Sequence, residues 1–197
     1  MTDAGLVHAE RVGKVIGAST DASISVLFGG TRRTRETAEA IVRGISDPGR
    51  VDGPRDAFAL RNPDMYLAGT RVNMVSSARA LAEQVVGLTP DQVEANEWWT
   101  TFFNADDRVG WWLAQDDPPG ETSRELARRI QRFARSFNDP GPHRGRFIVC
   151  VTHSPVLRAV LSAVTGLDPG EPAHLTGALL RVTTGQIEIT PHDPRSQ

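Results

Sequence analysis

The chain has 197 residues, 39% of them hydrophobic, enough to bury one sizeable core, and residues 1–197 are expected to form a single domain. A formal net charge of -2 supplies no basic field, which excludes general binding to nucleic acid or anionic membranes and confines any anionic ligand to a local site. No apolar run approaches the ~20 residues of a membrane span and no leader pattern opens the chain, so a cytoplasmic location is expected.

The first predicted element is a helix, with Thr2 as N-cap and Leu6, Ala9, Val12, Val15 and Ile16 at helical spacing. ASISVLF then reads as a buried strand ended by Gly29 and Gly30, and TRRTRETAEAIVRGI as the helix after it. Residues 46–61 carry Pro48, Gly49, Gly53 and Pro54 and read as a loop, with a short strand at Ala57 to Leu60. RVNMVSSARALAEQVVGL is expected to be helical, and Thr89 with Pro90 starts a further helix through TPDQVEANEWWTTFF. After a Pro-Gly breaker, Thr122 and Glu125 form a capping box ahead of an amphipathic helix. RFIVCVT is the clearest strand and HSPVLRAVLSAVTGL an equally clear helix, while ALLRVTT and QIEITP suggest a closing hairpin turning at Gly185. Strands alternating with helices predict a three-layer α/β/α fold with a mostly parallel central sheet.

Two of these junctions carry chemistry. In VCVTHSPVLRAVL a strand delivers His153 to its carboxyl end, where open α/β sheets bind ligands, and the amide of Ser154 begins a helix beside it. In FGGTRRTRETAEAI a second strand ends at the same edge, and Arg33 in the first helical turn can fork two hydrogen bonds onto a phosphoryl group. A turn-packing histidine and a solvated arginine face are the alternative readings of each motif alone. Lys14 is the only lysine, so nearly all positive charge rests on arginine, the side chain whose planar fork matches phosphate. Cys150, lying in FIVCVT, is expected to be a buried strand residue.

Arg33, Glu36, Thr37 and Ala38 resemble the R-x-x-[QE]-T-A segment of the histidine phosphatase superfamily, the phosphoglycerate-mutase-like fold. THSPVLRAVL resembles that family's S-H-G-G-x-x-R motif through His153 and Arg158, and PGETSRELARRI resembles the turn and helix between the two. The resemblance implies a pocket of two histidines and two arginines, one histidine attacking phosphorus to form a phosphohistidine. It implies phosphorylated small molecules or phosphoproteins as substrates, with no metal or other cofactor; Asp106-Asp107 and Asp116-Asp117 read as helix ends and turns. Homo-oligomerisation is a possible further property.

The same family places its nucleophile in an R-H-G motif at the end of a strand preceding the first helix, and R-H-G does not occur in this sequence. The opening MTDAGLVHAERVG is similar to the segment that follows that strand, so the expectation is a fold whose first strand is missing. The gene product is then either a phosphatase whose nucleophile lies upstream of Met1, or a catalytically inactive anion-binding or protein-interaction domain. Asn62 aligns with the family's acid, which leaves Asp64 or Asp56 as proton donor, Asp64 being preferred; Ser154 and His174 are expected at the substrate. A helical cap is expected over roughly residues 62–120, including Trp98, Trp99, Trp111 and Trp112.

Overall fold

A computed structural model of the protein describes residues 2–183 and 186–193. Helix α1 (Asp3–Ser19) starts where the Thr2 hydroxyl accepts a hydrogen bond from the Gly5 amide at 3.2 Å. Strand β1 (Ile24–Phe28) leads into α2 (Arg32–Gly44), and β2 (Val51–Asp56) follows. The hairpin β3 (Met65–Leu67) and β4 (Thr70–Val72) comes next, then the short helices α3 (Ala78–Ala82), α4 (Pro90–Glu94), α5 (Glu97–Asn104) and α6 (Arg108–Leu113). Helix α7 (Ser123–Ser136), strand β5 (Phe147–Val151) and helix α8 (Ser154–Thr165) lead to β6 (Gly177–Thr183) and β7 (Gln186–His192).

The parallel sheet has the order β2-β1-β5. Ile24 and Val26 of β1 pack with Ala9, Ala38 and Ile41 of α1 and α2, whereas Leu27 joins the larger core formed with Leu126, Val156 and Ala159 of α7 and α8. This alternation is the period of two expected of a strand covered on both faces, and it yields the α/β/α layering. Two glycines join α1 to α2: a Cβ on Gly13 would lie 2.1 Å from the Ile41 carbonyl oxygen, and one on Gly44 2.0 Å from that of Glu10. No larger residue allows this backbone approach.

Three expectations are corrected. The strand predicted at Ala57 to Leu60 is a 3-10 turn (Phe58–Leu60), and the strand lies earlier, in β2, which the Gly53-Pro54 pair disguises as loop. Its position beside β1 only, among the described residues, lets it tolerate a proline without an amide. The helix predicted from Arg71 to Leu88 is instead the end of the β3-β4 hairpin followed by α3, and the long helix predicted through Phe103 is split where the Asn96 side chain caps α5. The turn expected at Gly185 lies outside the described residues.

Cys150 is exposed, contrary to its sequence context. The reason is topological: among the described residues β5 pairs with β1 alone, and β6 pairs only with β7 in a separate hairpin. Every residue of FIVCV is therefore at least partly open to solvent, whereas Ile24, Ser25, Val26 and Leu27 of the neighbouring β1 are buried. Protein atoms still wall the Cys150 thiol closely on its other sides, and that burial pushes it up to about 12.

Candidate active site

The carboxyl ends of β1 and β5 meet where two helices begin. After β1, the Gly29 amide donates to the Val151 carbonyl at 2.9 Å, and Gly29 lies so close to the Leu60 carbonyl oxygen that a Cβ would approach it to 2.3 Å. Thr31 then caps α2, its hydroxyl accepting from the Thr34 amide at 3.3 Å in a reciprocal capping box. After β5, the Thr152 hydroxyl donates to the Leu60 carbonyl at 2.6 Å and His153 takes the cap position of α8. The His153 Nε2 atom lies 3.4 Å from Thr31 Oγ1, which brings the starts of α2 and α8 together. Both helices exceed two turns, so their free amides and partial positive charge converge on one spot.

Burial, followed by the positive charge of Arg33, lowers the His153 imidazole to about 4. It is consequently neutral at physiological pH in the ligand-free state, and an anion seated beside Arg33 would draw it back towards protonation. Arg33 itself is exposed in the first turn of α2.

The remaining predicted residues have other partners. The Asp64 carboxylate accepts from Arg61 Nε at 3.0 Å, from Arg61 Nη2, and from Arg71 Nε at 2.5 Å. Burial alone would raise it, but these hydrogen bonds outweigh burial and hold it at about 2, so at neutral pH it is a carboxylate with no proton to give. The Ser154 hydroxyl donates to Glu171 Oε2 at 2.6 Å. His174 is exposed in the turn before β6 and, among the described residues, makes no hydrogen bond with Arg33, His153 or Ser154. Asp56 ends β2 at the same edge of the sheet, its Oδ1 3.6 Å from where a Cβ on Gly30 would be, and among the described residues its carboxylate has no hydrogen-bond partner. Asn62 sits nearby with its buried Oδ1 unpaired.

Sequence reasoning missed Thr31 and Glu171, and it missed the setting of Arg158. That side chain is completely buried and forks onto Asp107 at 2.8 and 2.5 Å, while its Nε donates to Asp168 at 2.9 Å. Asp107 also caps α6, so one guanidinium fastens α8 to the 97–113 helices and to the loop before β6. With both edges of its fork occupied, Arg158 braces the helix behind His153 and is not itself free to hold a phosphoryl group.

Among the described residues no group of three or more His, Cys, Asp or Glu could hold a metal ion, and no helix is long and apolar enough to cross a membrane.

Comparison with known proteins gives a consistent picture. The sequence pattern of the Histidine phosphatase superfamily (branch 1) matches residues 74–196, more than half of the chain. No curated protein sequence matches. Among solved structures, mycobacterial glucosyl-3-phosphoglycerate phosphatase in complex with inorganic phosphate is similar, with a TM-score of 0.58 at 17% identity over 98% of this chain and 86% of that one. The product of an open reading frame of Mycobacterium tuberculosis has a TM-score of 0.54 at 18% identity, covering 96% of this chain and 82% of its own. At such identities the likeness is one of fold.

Proposed function

The chain belongs to the histidine phosphatase superfamily, and on that footing we propose that it is the phosphoryl-binding part of a phosphomonoester hydrolase working through a phosphohistidine. The observation that carries this reading is the 3.4 Å approach of His153 to Thr31, which gathers two helix starts around a neutral imidazole next to Arg33. Arg33, His153 and the amides of both helix starts stabilise charge on the equatorial oxygens as phosphorus is attacked. The proton for the leaving alcohol is assigned to Asp56, which is unpartnered at the strand edge, in place of the ion-paired Asp64. Residues 62–120 form the cap over this edge.

The attacking histidine is assigned to a strand that runs parallel to β5 and seats between it and β6. Two features support such a seat. Among the described residues β5 pairs with β1 alone and β6 with β7 alone, so each keeps an open edge. The apolar residues of β5 are partly open. A strand ending in Arg-His-Gly there would place its histidine beside His153, and water would then release phosphate from the phosphohistidine.

A second reading has its own support in the missing R-H-G and in the placing of Asn62 and Asp64: a non-catalytic, anion-binding domain. One experiment separates the two. A synthetic strand peptide ending in Arg-His-Gly, or the same segment fused ahead of Thr2, is combined with the protein and p-nitrophenyl phosphate. Turnover that disappears in His153→Ala establishes the hydrolase; thermal stabilisation by phosphate with no turnover in either format establishes the binding domain.

A further inference from the structure

Phe58 is 67% exposed, the most exposed aromatic ring among the described residues. A single exposed ring is ordinary, but this one is held in place at a particular location. The residues flanking it are tied to the two strands that build the phosphoryl site: Ala57 donates its amide to the carbonyl of Phe28 at the end of β1 at 2.8 Å, and Leu60 accepts from Thr152 at the end of β5. The ring therefore stands on the rim of the edge occupied by Arg33 and His153.

One face of the ring is covered. The Arg61 guanidinium carbon lies 3.8 Å from the ring centroid, and Arg61 Nη1 donates to the carbonyl of Phe58 at 2.8 Å. Arg61 Nε and Nη2 are both engaged with Asp64. The guanidinium is thus pinned through all three nitrogens and serves as backing for the ring, leaving the opposite face to solvent. This spot offers a fixed aromatic plane, the surface on which a flat unsaturated ring stacks.

We infer that Phe58 is a specificity residue that stacks on the leaving group, and that the favoured substrates are monoesters of aromatic or heteroaromatic alcohols, phenols among them. The inference rests on the phosphoryl site proposed above. It assigns Asp64 a positioning role, that of holding Arg61 flat behind the ring.

Calorimetric titration of the protein with methyl phosphate, phenyl phosphate and glucose 6-phosphate tests it. Stacking of this kind makes phenyl phosphate bind about fivefold tighter than methyl phosphate, a ratio expected to fall to about one in Phe58→Ala and to persist in Phe58→Trp. Asp64→Asn, which loosens Arg61, is expected to give an intermediate ratio. Equal binding of phenyl and methyl phosphate, or glucose 6-phosphate as tight as phenyl phosphate, overturns the inference and leaves the phosphoryl site standing. Failure of all three to bind, with Arg33→Ala no different from the parent, overturns the phosphoryl site and this inference with it.

Discussion

The imidazole of His153 links site chemistry to stability. Its ordinary value of 6.5 is lowered to about 4 by burial and by Arg33. The folded state thus binds fewer protons than the unfolded one between those values, and the His153 contribution to stability is full above pH 6.5 and lost as pH falls towards 4. Relative to His153→Asn, the parent is expected to lose about 2 kcal/mol between about pH 7.5 and about pH 4.5, read from urea melts at each pH. Bound phosphate should move the imidazole resonance titration upward, and a titration unchanged by saturating phosphate would remove His153 from the site. Residues of this kind were legible because each stands at a strand-to-helix junction with its chemistry in the sequence itself. Asp64 was not: its partner Arg71 comes from β4, in a stretch whose apolar spacing resembled a helix, so the ion pair that ties up the carboxylate was invisible.

At the scale of elements, α1, α2, α7, α8 and β5 could be read from periodicity and caps, because each has an apolar face and a chemically marked start. What joins them could not be read. Gly13 looks like an ordinary helical glycine until α2 is laid against it; Gly13→Ala forces the helices apart and is expected to cost about 2 to 3 kcal/mol in denaturant melts, whereas Gly69→Ala, at an open turn, should cost less. Arg158 likewise read as part of a family motif, and only the fold reveals Asp107 and Asp168 across from it. Arg158→Leu removes the brace between α8 and the start of α6 and leaves two carboxylates without a counter-charge, an expected loss of about 3 kcal/mol. Hydrogen bonds from Arg158 hold Asp107 at about 2, so this contribution is present above the ordinary aspartate value of 3.8 and fades as pH drops towards 2. Acid melts of the parent and Arg158→Leu should converge over that interval.

For the whole molecule, the α/β/α layering was predictable from the alternation of strands and helices, whereas the pairing was not: among the described residues β5 pairs with β1 alone and β6 with β7 alone. Unpaired strand edges invite pairing with other chains. The amides of β5 that point away from β1 are expected to exchange with deuterium faster than those of β1, and the seating peptide should slow them. Equal protection of β1 and β5 in the peptide-free protein would count against an open edge. The tryptophans add a different handle. All four lie between residues 98 and 112, and Trp98 meets Trp99 and Trp111 edge-on while stacking on Phe102. The tryptophan fluorescence of this protein is therefore an optical signal that originates in the α5-α6 region. Fluorescence and far-ultraviolet dichroism will trace the same melting curve only if that region and the sheet unfold together, so two routine spectra suffice to show whether α5 and α6 can loosen while the sheet stays folded.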